Sequence, residues 1–182
     1  PEFKEAGSRL IYLPVMRDEA EMPNIKKLKK NYTRVEKMIS EGKIKAASAV
    51  TIGGLAEAIS KMTFGNMIGA EITAELNEAE LFSPEYGALI LELAAGEKAE
   101  ELFAGLDFEI IGKTISEEFI KINVSSISLT EALKNWQQPL EKVYKTKVEE
   151  DEIAAVVEPE LEKELLKLEA YRNNQSFNSE IK

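Results

Sequence analysis

In the stretch SAVTIGGLAEAISKM, residues Ser48–Met62, a run of small residues meets a Gly-Gly pair and then an amphipathic pattern. The pattern predicts a strand, a tight turn at Gly53-Gly54 and a helix. Such a turn at a helix N-terminus can hold a phosphate on backbone N–H groups. It can equally be a connection without a ligand. It lacks the Lys-Ser/Thr of a P-loop and the three glycines of a dinucleotide fold.

Strands and helices alternate on both sides of this stretch. Apolar runs predict strands over 8–15, 46–50, 70–74, 87–93, 108–115 and 119–124. Helical spacing predicts helices over 25–41, 55–64 and 97–103, and a last one after residue 128. Asn24 and Gly42 suit the two ends of the first helix, and Ser128 with Glu131 forms a capping-box pattern. The chain is therefore predicted to be α+β, a mixed or antiparallel sheet with helices packed on it.

Domain organisation follows from length and composition. The 182 residues are enough for one domain with a sizeable core, which we place at residues 1–145. Residues 146–182 begin with an acidic run and are predicted to be a helical linker or tail. The start at Pro1, without Met or a targeting pattern, favours a piece of a longer cytoplasmic protein. No apolar run reaches the length of about 20 residues that a membrane helix needs.

Composition excludes several function classes. The chain has no His and no Cys, which excludes Ser-His-Asp and Cys-His catalysis, Cys/His zinc sites and disulfides. A net charge of −10 disfavours nucleic acid as a partner, because phosphate contacts need clustered basic residues. The basic run Lys26-Lys27-Leu28-Lys29-Lys30, followed by Lys43 and Lys45, is most simply a solvated face. Contact with a phosphorylated ligand or an acidic partner is its alternative.

Three motifs in one order carry a family resemblance. They are GGLAEAISKM at 53–62, LFSPEYGALILEL at 81–93 and IGKTI at 111–115. Together they resemble the C-terminal domain of the AIR-synthase superfamily, and within it the phosphoribosylformylglycinamidine synthase family in its large single-chain form. The opening PEFKEAGSRLIYLPV and the closing LTEALKNWQQPLEKVY, residues 129–144, are similar to the ends of that family's last such domain. The resemblance covers the chain from Pro1 to Tyr144.

The resemblance implies an ATP- and glutamine-dependent carbon–nitrogen ligase of purine biosynthesis. In that family ATP phosphorylates the formamide oxygen of formylglycinamide ribonucleotide (FGAR), and ammonia from glutamine then displaces the phosphate. ATP and Mg²⁺ are the implied cofactors. The implied partners are an ATP-binding domain and a glutaminase domain of the same polypeptide, with no nucleic acid and no membrane. Because this chain carries neither domain, it is expected to be inactive alone.

The Gly-Gly loop departs from the family pattern. Family members usually have His-Asp-x-Ser-Asp before Gly-Gly-Leu, whereas this chain has Ser48-Ala49-Val50-Thr51-Ile52. The resemblance therefore implies a degenerate half-site without catalytic or metal-binding residues. The surviving hydroxyl and N–H groups predict a phosphate or nucleotide site at Thr51, Gly53, Gly54 and Leu55.

Two other hypotheses stay open. One is a non-catalytic interaction module that presents a sheet face and the Trp136 region to a partner. The other is a domain of a different superfamily member, such as a thiamine-monophosphate kinase, a selenophosphate synthetase, a hydrogenase-maturation protein or AIR synthase. Glu57, Glu85 and Glu92 are interpreted as exposed carboxylates rather than acid–base groups. One face of the sheet is expected to be apolar and built for burial by absent domains.

Overall fold

The computed structural model describes residues 1–146 together with residues 163, 164 and 167. The chain divides into two units, residues 1–136 and 137–182. The strands of the described part are β1 Arg9–Leu13, β2 Ile44–Ala49, β3 Gly69–Ile72, β4 Leu89–Leu93, β5 Glu109–Ile115, β6 Phe119–Ile122 and β7 Ser125–Ser128. The helices of the same part are α1 Ile25–Ser40, α2 Gly54–Phe64, α3 Glu78–Phe82, α4 Ala99–Leu102 and α5 Leu129–Gln137.

The strands form one sheet in the order β2-β4-β1-β5-β3-β6-β7. The β3–β6 pair is parallel and the other pairs are antiparallel. The predicted α+β class with a mixed sheet is therefore confirmed. The strands β5 and β6 follow each other in the chain, but β3 lies between them, so the polar turn at 116–118 does not form a hairpin.

Helices cover the two faces of the sheet unequally. One hydrophobic cluster packs α2 against residues of β1 to β6, and the other packs α1 and α4 against β1, β2 and β4. The buried side of α2 repeats at positions i, i+3, i+4 and i+7, namely Leu55, Ala58, Ile59 and Met62. All five residues of β4 are buried, as expected for a strand covered on both faces.

The face opposite α2 is open over β5, β3 and β6. Lys113, Glu71 and Lys121 lie side by side there in neighbouring strands, and Lys113 Nζ is 3.0 Å from Glu71 Oε2. Cross-strand pairs of opposite charge suit a solvated sheet surface. The expectation of an apolar open face is thus wrong for this half of the sheet.

The ends of several elements follow local signals. Asn24 Oδ1 accepts a hydrogen bond of 3.1 Å from Lys27 N, and Gly42 has a φ of +71° just after α1. Ser128 Oγ accepts from Glu131 N at the start of α5. The sequence prediction missed two short elements, α3 and β7.

In the second unit, Gln137 ends α5 and residues 138–143 form turns. The carboxylate of Glu141 accepts hydrogen bonds of 3.0 Å from both the N–H and the hydroxyl of Thr146. Apart from residues 146, 163, 164 and 167, the predicted linker over 146–182 lies outside the described residues and stays a prediction. Within the described part, no helix combines the length and the apolar character that crossing a membrane requires.

Candidate functional site

The predicted site is the connection between β2 and α2. Gly54 N donates to Thr51 O at 3.2 Å and closes the turn, and Gly54 has a φ of +70°, a conformation that favours glycine. A Cβ on Gly54 would lie 2.4 Å from Leu81 O, so the backbone of α3 passes directly against this glycine. Both the turn and this close approach require glycine at position 54 without any ligand.

The carboxylate of Glu57 closes the start of α2. Its Oε2 accepts hydrogen bonds of 2.8 Å from both Gly53 N and Thr51 Oγ1, and its Oε1 lies 2.5 Å from Lys61 Nζ. Lys61 above all, and then Thr51 and the Gly53 N–H, lower the pKa of Glu57 to about 2. The carboxylate is therefore ionised at neutral pH and held by three donors.

The structure brings together two of the four predicted site residues. Thr51 and Gly53 meet at Glu57, whereas the N–H of Gly54 is bonded within the turn and the side chain of Leu55 is buried in the core. The prediction named Glu57 only as an exposed carboxylate and missed its pairing with Lys61. The i, i+4 spacing of Glu57 and Lys61 could have predicted this ion pair from the sequence.

The turn as folded does not fit a magnesium–nucleotide group. Ala49 and Ile52 supply no carboxylate, and the Glu57 carboxylate already takes the Gly53 N–H and the Thr51 hydroxyl. Among the residues that the structure describes, no group of three or more Asp, Glu, His or Cys could hold a metal ion. The phosphate site at Thr51, Gly53, Gly54 and Leu55 stays a prediction.

Glu92 is buried rather than exposed, so its interpretation as a surface carboxylate is wrong. It lies on β4, the second strand of the sheet, with no exposed surface, and it accepts hydrogen bonds from Lys4 N at 2.8 Å and from Glu5 N at 3.0 Å. These bonds hold the N-terminal segment against the sheet. Glu85 is half-buried, and its burial, followed by the nearby charge of Glu109, raises its pKa.

Two of the four lysines in the basic run of α1 contact other residues of the same unit. Lys27 Nζ lies 3.0 Å from Asp107 Oδ2, and Lys30 Nζ donates to Gly105 O at 2.6 Å. Farther along, Lys43 pairs with Glu41, and Lys45 with Glu5. These local contacts favour the solvated face over a ligand-binding patch.

Trp136 lies on α5 and packs against another helix. Its ring centroid lies 5.7 Å from that of Phe64 on α2, and 56% of the residue remains exposed. A cavity of about 1020 Å³ lies elsewhere, where the ends of β3 and β6 approach α3 and β7. None of the four predicted site residues lines that cavity.

A model of the family "AIR synthase related protein, C-terminal domain" matches residues 13–176. A curated relative, the phosphoribosylformylglycinamidine synthase subunit PurL of Lactobacillus delbrueckii subsp. bulgaricus, is 28% identical over 118 residues. That match covers 63% of this chain and only 16% of the relative's length.

Solved structures of PurL share the fold. T. maritima PurL complexed with AMPPCP matches with a TM-score of 0.56 and 16% identity, covering 72% of this chain and 26% of that one. T. maritima PurL complexed with FGAR matches with a TM-score of 0.55 and 14% identity, covering 72% and 28%. At these identities the likeness concerns the fold alone.

Proposed function

Because the chain belongs to the AIR synthase related, C-terminal domain family, we propose that it is one domain of a phosphoribosylformylglycinamidine synthase. The whole protein would be a cytoplasmic ligase that uses ATP and glutamine to amidate FGAR in purine biosynthesis. The observation that carries this proposal is the family match over residues 13–176. The curated PurL relative, of which the chain spans about a sixth, supports the choice of activity within the family.

Within that protein, we assign this domain a structural role. Its glycine turn lacks carboxylates at Ala49 and Ile52 for Mg²⁺, and its donors are bonded to Glu57. ATP, Mg²⁺ and FGAR would then be bound by other parts of the polypeptide, and ammonia would come from a glutaminase domain. The 182-residue chain alone would be inactive.

The test is an assay on the native protein. An antibody raised against this chain is used to purify the native polypeptide from source cells, and its size is measured. The purified protein is then supplied with ATP, Mg²⁺, glutamine and FGAR. We expect a polypeptide several-fold larger than this chain that forms the amidine product, while the 182-residue chain forms none. A large polypeptide that does not amidate FGAR would overturn the assigned activity.

A free-standing interaction module is the second candidate. It is favoured by the same turn, since a Gly-Gly pair that Glu57 and α3 fully account for needs no ligand. The two candidates differ in the size of the native polypeptide. A native band as small as this chain would support the module and would overturn the ligase domain.

A further inference from the structure

The start of α2 assembles three donors around one position. The Gly53 N–H, the Thr51 hydroxyl and the Lys61 ammonium all point to the carboxylate of Glu57, at 2.8, 2.8 and 2.5 Å. A backbone N–H at a helix N-terminus, a hydroxyl and a cation are the groups with which proteins bind anions. In this chain the anion is supplied by the helix itself, one turn further on.

We propose that the Glu57 carboxylate occupies the anion-binding position of the Gly53-Gly54 turn and thereby prevents phosphate from binding there. This inference concerns the chain's own residues and does not rest on the proposed activity.

The side chain of Glu57 leaves no room for a second anion. A Cβ placed on Gly53 would lie 2.6 Å from Glu57 Cβ and 2.7 Å from its Oε2, so the side chain is folded directly over that glycine. A phosphate at the same N–H would overlap the carboxylate. It would also meet a negative charge at close range, which opposes binding. Steric overlap and charge repulsion by the Glu57 carboxylate therefore both oppose phosphate binding.

The same contacts cap the N-terminus of α2, so the turn needs no ligand to satisfy its donors. Gly53 has no side chain to cap α2, and no side-chain cap bond is made from that position. The Glu57 carboxylate accepts a hydrogen bond from the Gly53 N–H and complements the positive end of the helix dipole. Loss of Glu57 would leave the three donors facing an empty position.

The test is a phosphate titration of the ¹⁵N-labelled 182-residue chain, followed at the Gly53 amide by NMR. We expect no saturable shift in the wild type and a saturable shift in Glu57→Ala, with affinity higher by about tenfold or more. Acetate should shift the same amide in Glu57→Ala, because it replaces the missing carboxylate. Glu57→Gln should show no saturable phosphate shift, because its amide oxygen can still accept hydrogen bonds from Gly53 and Thr51.

Matched variants distinguish the loss of the Glu57 carboxylate at the turn from the loss of a negative charge elsewhere in the chain. Glu36→Ala removes an equally negative residue from the exposed surface of α1 and should leave the Gly53 amide silent. Glu57→Asp withdraws the carboxylate by one methylene group and decides the question if Glu57→Ala does not fold. Saturable phosphate binding at Gly53 in the wild type, within tenfold of the variant's affinity, would overturn the proposal. The proposal would also be overturned if Glu57→Ala and Glu57→Asp fold but show no saturable phosphate shift at the Gly53 amide.

Discussion

Two helices of this domain begin in different ways, although they lie against each other. α3 has a complete capping box, in which Asn77 Oδ1 accepts from Glu80 N and Glu80 Oε2 accepts from Asn77 N at 2.8 Å. The N-cap residue of α2 is Gly53, which has no side chain, and Glu57 of α2 accepts a hydrogen bond from the Gly53 N–H at the same distance of 2.8 Å.

The difference shows what the glycine pair is for. A cap with a side chain suits α3, because its start is exposed to solvent. At α2 the N-cap residue is Gly53, which has no side chain, and the Glu57 carboxylate accepts its N–H instead. The next residue, Gly54, lies so close to the backbone of α3 that no side chain fits there. A glycine-rich helix start can therefore be a packing solution that only resembles a phosphate loop.

The largest effect is expected from Gly54→Ala, which breaks the close approach of the two helices. Its φ of +70° and the contact with Leu81 O should together cost about 3 kcal/mol in free energy of unfolding, measured in urea. Gly42→Ala is the matched control, since Gly42 has a φ of +71° but nothing near its missing Cβ. It should cost only about 1 kcal/mol. Equal losses in the two variants would mean that α3 does not constrain the turn.

Glu92→Ala extends the comparison to a carboxylate that binds backbone N–H groups in the interior. Removing it leaves the Lys4 and Glu5 N–H groups without their acceptor and should cost about 2 kcal/mol. Hydrogen exchange at these two amides should accelerate, and Glu92→Gln should lose less because one acceptor remains. Unchanged hydrogen exchange at both amides would contradict the role of Glu92 in holding the N-terminal segment against the sheet.

Glu57→Ala and Glu80→Ala compare the two helix starts directly. Glu57 is held by three donors, including Lys61, whereas Glu80 caps only the Asn77 N–H. We expect losses of about 1.5 kcal/mol for Glu57→Ala and about 0.5 kcal/mol for Glu80→Ala in urea unfolding. A larger loss at Glu80 would reverse the ranking of the two caps.

The smallest effect is the dependence of the Glu57 contribution on pH. Its pKa is about 2 in the folded chain and starts from an ordinary value of 4.5. A lowered carboxyl pKa adds stability that is present above the ordinary value and is lost as the pH falls toward the folded value. The stability gap between wild type and Glu57→Gln should therefore shrink between pH 4.5 and pH 2. An NMR titration of the Glu57 carboxyl group with a midpoint at 4.5 or above would contradict this.

The sequence predicted the parts of the fold that depend on local signals. Asn24 and Gly42 were placed correctly at the ends of α1, because capping bonds join residues only a few positions apart. The missed helix α3 also had such a signal, the Asn77 and Glu80 pair of a capping box. The missed strand β7 is a run of three serines and one isoleucine, without the apolar alternation that marks a strand.

Local signals in the sequence are enough to predict the alternation of strands and helices and the α+β class, and the composition excludes His and Cys chemistry. The tertiary structure decided that β3 separates β5 from β6, that Glu92 binds amides 88 and 87 residues away, and that Gly54 lies under α3. The physical reason is range. Periodicity and caps act within a few residues, whereas burial and close backbone approach depend on which distant segments the folded chain brings together.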